Sequence, residues 1–186
     1  MSLPAEREVC YDDLYSIPNS MIGQIIDGDL IAMPRPTYRH SNVVSALEDE
    51  IGPSYRRGRN GPGGWIILFE PEIQFGKNIL VPDLAGWKKE HLPSPPETNW
   101  CEVSPDWVCE VLSPSTIRID RIKKMNIYAA YNVPYVWLIH PIDKTFEVFK
   151  LEHGRWILLS IHGENDKVRA EPFQEVEIDL NTLWWD

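Results

Sequence analysis

The sequence predicts an α+β fold, a mixed β-sheet flanked by two helices, as a single domain over residues 1–186. Three observations predict it. Short runs rich in Val, Ile, Trp and Phe, bounded by turn residues, recur between Trp65 and Leu159 as strands do. Two longer stretches, one from Thr37 and one ending at Tyr131, repeat apolar residues at helical spacing. A chain of 186 residues, 43% hydrophobic with eight tryptophans, suits one compact core.

Taken in order, Tyr11-Asp12-Asp13-Leu14 opens a short helix. In Ile25–Ile31 the Asp27-Gly28 pair favours the positive φ of a tight turn, which predicts a hairpin closed off by Pro34 and Pro36. A helix is expected from Thr37 to Ile51, with Val43, Val44, Leu47 and Ile51 as its buried stripe and Gly52-Pro53 as its stop. His40 shares that inward side, three and four residues before Val43 and Val44. A buried, hydrogen-bonded histidine and a site histidine are both open readings of it. Glu48 and Glu50 are expected to face solvent.

Gly58–Gly64 reads as a loop. Trp65–Phe69 and Glu72–Gly76 read as strand, interrupted near Pro71. With Lys77-Asn78 as a hairpin tip, Gly76 pairs with Ile79 and Glu72 lies across from Asp83, making Glu72 a third acidic candidate. A slip of one residue would send Glu72 to the other face. Lys88–Ser104 is polar and proline-rich, and reads as a surface loop.

Alternation in Trp107–Leu112 puts Val108, Glu110 and Leu112 on one face and Trp107, Cys109 and Val111 on the other. Ser113-Pro114-Ser115-Thr116 then ends the strand and caps a second helix, with Ile122, Met125 and Ala129 buried. Asp120, Lys124 and Tyr128 fall on an adjacent stripe, where an i,i+4 Asp–Lys pair is a common surface feature. Tyr135–Ile139, Thr145–Phe149 and Arg155–Leu159 form a meander, followed by a strand near Val176–Ile178 and a terminal turn at Thr182–Trp185. The aromatics of this last third read as core or as the surface of a homodimer.

A net charge of −10 gives no general attraction to a polyanion, so nucleic-acid binding is expected to be weak or assisted. Local basic clusters occur at Arg56, Arg57 and Arg59 and at Arg118, Arg121, Lys123 and Lys124. The three cysteines (Cys10, Cys101, Cys109) have no metal-ligand spacing and cannot all pair, which fits a cytoplasmic protein. No signal-peptide pattern is visible, and no run approaches the ~20 apolar residues that span a bilayer, so no membrane partner is expected.

Chemistry concentrates in residues 81–124. Asp83 and Glu110 are acids within strand-like runs. Two converging carboxylates repel, and a divalent cation is the usual relief. The ordered series Val81-Pro82-Asp83-Leu84-Ala85, Glu110-Val111-Leu112-Ser113-Pro114-Ser115-Thr116, Asp120, Lys124, Tyr128 and Val133-Pro134-Tyr135-Val136-Trp137 spans this stretch and its sequel. In that series the chain resembles the Uma-type family of the PD-(D/E)XK, restriction-endonuclease-like superfamily.

That resemblance implies a metal-dependent endonuclease acting on nucleic acid, with DNA favoured. Asp83, Glu110 and the Val111 carbonyl, joined by Glu72, would hold Mg²⁺, with Mn²⁺ as a substitute. The candidate ligands are hard oxygens, which suits these ions. His40, Asp120 and Tyr128 are accessory candidates. The superfamily's E-x-K lysine position is Leu112 here, and the resemblance moves its role to Lys124. That departure keeps a second class open, a non-catalytic nuclease-like module binding nucleic acid or a partner protein. A carboxylate-pair glycosidase is a third, lower-ranked class.

Overall fold

A computed structural model describes residues 7–185. Its centre is a six-stranded sheet in the order β11-β10-β9-β8-β6-β3. These strands are β3 (Trp65–Phe69), β6 (Leu84–Lys88), β8 (Trp107–Val111), β9 (Tyr135–His140), β10 (Thr145–Glu152) and β11 (Arg155–Gly163). One face packs on helix α1 (Tyr38–Tyr55) and the C-terminal segment, through Val43, Leu47, Trp107, Trp137, Phe146, Phe173 and Leu183. The other face packs on a five-stranded sheet ordered β2-β1-β5-β4-β7 and on helix α2 (Met125–Ala130). That second sheet comprises β1 (Met21–Ile26), β2 (Asp29–Pro34), β4 (Glu72–Phe75), β5 (Asn78–Leu80) and β7 (Trp100–Cys101). A small pair, β12 (Lys167–Val168) and β13 (Ile178–Asp179), completes the strands. Both large sheets are mixed, since β8–β9 and β4–β7 pair in parallel.

Several local expectations hold for the stated reasons. Asp27 and Gly28 take φ of 56° and 86° and turn β1 into β2. Strand β8 alternates as read: Trp107, Cys109 and Val111 join the α1 side, Val108 and Leu112 the other. The aromatics Trp137 and Phe146 are core, each fully buried.

Other expectations are corrected. The β4–β5 hairpin pairs Phe75 with Asn78, so its tip is Gly76-Lys77 and Glu72 does not face Asp83. Gly76 supplies the φ of 62° that this tip requires. Ile79–Asp83 is not one strand. Its start belongs to the five-stranded sheet, and Val81-Pro82-Asp83 carries the chain across to the six-stranded one. The 88–104 segment is more than a loop, because Trp100–Cys101 adds a parallel strand and Leu92 is buried.

Helix α1 also passes through Gly52-Pro53 to Tyr55. An interior proline costs about 3 kcal/mol. Here the extra turn buries Tyr55 against Phe173, with ring centroids 4.7 Å apart. The second helix begins as a π-helical turn, Ile119–Lys124, with the Met125 N–H donating to the Asp120 carbonyl five residues back. The widened turn rotates the stripes. Met125 is buried as expected, but Ile122 is 54% exposed, while Asp120, Lys124 and Tyr128 are buried, which the even 3.6-residue reading did not place inside.

Candidate functional site

Asp83 and Glu110 come together through strand pairing. Leu84 pairs with Cys109 and Ala85 with Val108, and one further step along this antiparallel register sets Asp83 opposite Glu110. The Asp83 carboxylate extends the ladder, because its Oδ2 accepts the Val111 N–H at 2.7 Å. The Pro82 ring removes a competing donor from this crossing. The preceding Val81 N–H donates to Gln24 Oε1 at 2.9 Å, which ties the crossing to β1.

Glu110 points toward α2 and is 2% exposed. The Lys124 ammonium donates to both its oxygens at 3.1 and 3.0 Å, and the Tyr128 hydroxyl donates to Oε1 at 2.5 Å. Lys124 also meets Asp120 at 3.2 Å and the Val81 carbonyl at 3.4 Å. The Asp120–Lys124 pair is therefore buried, not a surface pair. Across the cleft, His40 Nε2 lies 3.1 Å from Asp83 Oδ1. Its helix start is fixed by Thr37, whose Oγ1 accepts the His40 N–H at 3.3 Å. His40 Nδ1 is buried with no hydrogen-bond partner.

These groups line one cavity of about 240 Å³. Asp83, Glu110, Val111, Lys124, His40 and Asp120 all reach it, and the Ser113–Thr116 turn forms part of its wall. Tyr128 sits behind, touching Glu110. Glu72 stays outside. Its carboxylate accepts the Tyr11 hydroxyl and lines a separate cavity. As a metal-ligand candidate beside Asp83, Glu72 is withdrawn, for the register reason given above.

Burial and neighbouring charges together set protonation in the cavity. Burial pushes the Glu110 carboxyl up to about 8; Lys124 opposes this, and the neighbouring charges of Asp120 and Asp83 add to the rise. Burial also disfavours the charged Lys124, but Glu110, Asp120 and Asp83 more than compensate and hold it cationic. Burial raises Tyr128, reinforced by Glu110, so its hydroxyl stays protonated as a donor. For His40, burial favours the neutral ring, yet the hydrogen bond and charge of Asp83, joined by the charges of Glu70 and Asp120, together outweigh it and raise the pKa.

Among the described residues no group of three or more His, Cys, Asp or Glu is arranged to hold a metal ion. The donor chemistry still fits a hard cation. Mg²⁺ is commonly bound by one or two carboxylates, with waters and substrate phosphates supplying the rest. Glu110 and Asp83 both line the cavity, where a cation between them would offset the burial that disfavours ionised Glu110.

The family model described as Uma2, putative restriction endonuclease, matches residues 11–182. The chain belongs to the Uma2 family. A solved structure described as a putative nuclease belonging to DUF820, from Anabaena variabilis, superposes with a TM-score of 0.75. It is 22% identical, and the match covers 94% of this chain and 97% of that one, which shows a shared fold. No curated protein matches the chain. The α+β, restriction-endonuclease-like reading of the fold is therefore correct. For this Uma2 chain, no helix among the described residues is long and apolar enough to cross a membrane.

Two site residues escaped the sequence reading. Gln24 is buried and positions Val81, and its trace was a lone amide in the apolar run Met21–Ile26. Arg35 lines the cavity from the Pro34–Pro36 connection, where nothing in the pattern pointed to it.

Proposed function

We propose that this chain is a metal-dependent endonuclease that hydrolyses phosphodiester bonds in nucleic acid, with DNA the favoured substrate. Membership of a family of putative restriction endonucleases supports the reaction class. The observation that carries the site is Asp83 and Glu110 flanking one cavity, with Lys124 held between Glu110 and Asp120. Asp83 and Glu110, with the Val111 carbonyl, would hold the cation, Mg²⁺ preferred and Mn²⁺ tolerated. When bound, such a cation supplies Lewis-acid stabilisation of charge on the scissile phosphate.

The chain's own residues do the rest. Lys124 is locked in its cationic form, so it acts as a fixed donor and positive charge toward a water or a phosphate oxygen, not as a base. Tyr128 donates to Glu110 and fixes the carboxylate's orientation. Asp120 anchors Lys124 from the π-turn, and His40 steadies Asp83 from α1. A cytoplasmic location and a homodimeric state belong to the same proposal.

One observation favours the second reading, a non-catalytic nuclease-like module. The Lys124 ammonium already sits between Glu110 and Asp120, in a place a bound cation could otherwise take. Calorimetric titration with Mg²⁺ and Mn²⁺ decides between them. The endonuclease reading expects saturable binding that Asp83→Ala abolishes, together with cleavage of a DNA oligonucleotide. Wild-type protein that takes up neither ion would establish the module instead.

A further inference from the structure

Six charged or titratable side chains line the cavity: Asp83, Glu110 and Asp120 against Lys124, His40 and Arg35. Lys124 is 3% exposed and committed to Glu110 and Asp120. His40 is committed to Asp83. Arg35 is different. Its side chain is 53% exposed, 3.7 Å from Glu70 Oε2, with one further donor bond of 3.1 Å to the Asn19 carbonyl. Among the described residues it is the one exposed cation lining the cavity.

Its placement is as informative as its charge. Arg35 also lines a neighbouring cavity of about 220 Å³ that includes Tyr11, Tyr15 and Glu72, and the two cavities share Ile22 and Val81. A chain-like ligand passing from one to the other crosses the guanidinium. Pro34 fixes its own φ, and Pro36 restricts the residue before it to extended backbone, so Arg35 is presented from a stiff connection. The connection leads straight into α1, whose His40 contacts Asp83.

We infer that Arg35 is a positioning residue that grips a phosphate of the bound nucleic-acid strand next to the scissile one. The inference rests on the endonuclease reading above. A guanidinium offers a planar fork of donors that matches phosphate oxygens in pairs, and here it makes one hydrogen bond, to the Asn19 carbonyl, beside a loose 3.7 Å contact with Glu70. A chain of net charge −10 needs such a local cation, because its overall field repels the substrate.

The test compares wild type, Arg35→Gln, Arg35→Lys and Arg155→Gln in Mg²⁺-dependent cleavage of a labelled DNA oligonucleotide, with binding followed by anisotropy. Arg155 is exposed on β11 and lies outside the cavity, so its variant controls for net charge. Arg35→Gln should raise KM about tenfold with little change in kcat. Its binding should lose about one phosphate contact from the salt dependence. Arg35→Lys should recover part of the KM, and Arg155→Gln should match wild type in both.

If wild type cleaves and Arg35→Gln keeps its KM and salt slope, the inference is overturned and the endonuclease reading stands. A large fall in thermal midpoint for Arg35→Gln would make the residue structural and also overturn it. Wild-type protein that neither binds nor cleaves DNA or RNA overturns both.

Discussion

The two faces of the central sheet come from the same strands and are stabilised in opposite ways. Toward α1, β8 and β9 contribute Trp107, Cys109, Val111, Trp137 and Ile139 to a core without a charged group. Phe173 sits there between four aromatic rings, Tyr55, Trp65, Trp107 and Trp137, at centroid distances of 4.7 to 5.4 Å. Toward α2, Glu110 rises between Val108 and Leu112 into a buried group with Lys124, Asp120 and Tyr128. Apolar burial is a sum of small independent gains, so it degrades gradually. A buried charge cluster holds only while each member has its partner, so losing one leaves the others uncompensated. The first face secures the fold. The second holds a buried ammonium and its carboxylates at the cavity wall.

Lys124→Ala should have the largest effect. Cleavage should fall by at least ~10²-fold, since a fixed donor at the reacting group is lost, while metal affinity measured by calorimetry persists. Removing one partner of the buried pair should also cost about 3–5 kcal/mol at pH 8 by denaturant unfolding. The cost should shrink at pH 5, where Glu110 takes up a proton. Phe173→Ala should cost a similar ~3–5 kcal/mol, but equally at both pH values and with unchanged activity per folded molecule. Equal pH behaviour in the two variants would break the contrast between the faces.

Next in size is the pH dependence of the metal-free protein. Glu110 in the folded state keeps its proton up to about 8, whereas the unfolded chain releases it near the ordinary carboxylate value. Between these values the folded state binds more protons, so stability falls as pH rises from about 4.5 to 8. The loss should amount to at most a few kcal/mol. Glu110→Gln should flatten the slope, and so should saturating Mg²⁺. A slope that survives Glu110→Gln would place the titrating group elsewhere.

The smallest effect sharpens the link between α1 and Asp83. Thr37→Ala removes the side chain that accepts the His40 N–H, and should cost about 1 kcal/mol. Cleavage should fall only slightly, because the remaining α1 packing still orients His40. A loss as large as that of Lys124→Ala would show that His40 placement is far more demanding than its single contact with Asp83 suggests.

Much of this was legible because period and turn chemistry are local. The sequence by itself determined the alternation of Trp107–Leu112 and the Asp27-Gly28 hairpin, and it singled out Asp83 and Glu110 as acids within strand-like runs. Each follows from neighbouring residues along the chain, whereas Lys124 entered as a site lysine only through the family resemblance. Only the tertiary structure decided the rest. The division of residues 65–88 between two sheets depends on which strands find each other across the fold, and so does the retirement of Glu72. The π-turn at Ile119–Lys124 shifted the buried stripe, because Glu110 of β8 gives Lys124, and through it Asp120, a buried partner that no local pattern could supply. Helix α1 outran Pro53 for the same reason: Tyr55 meets Phe173, a contact between residues 118 positions apart that a local stop signal cannot anticipate.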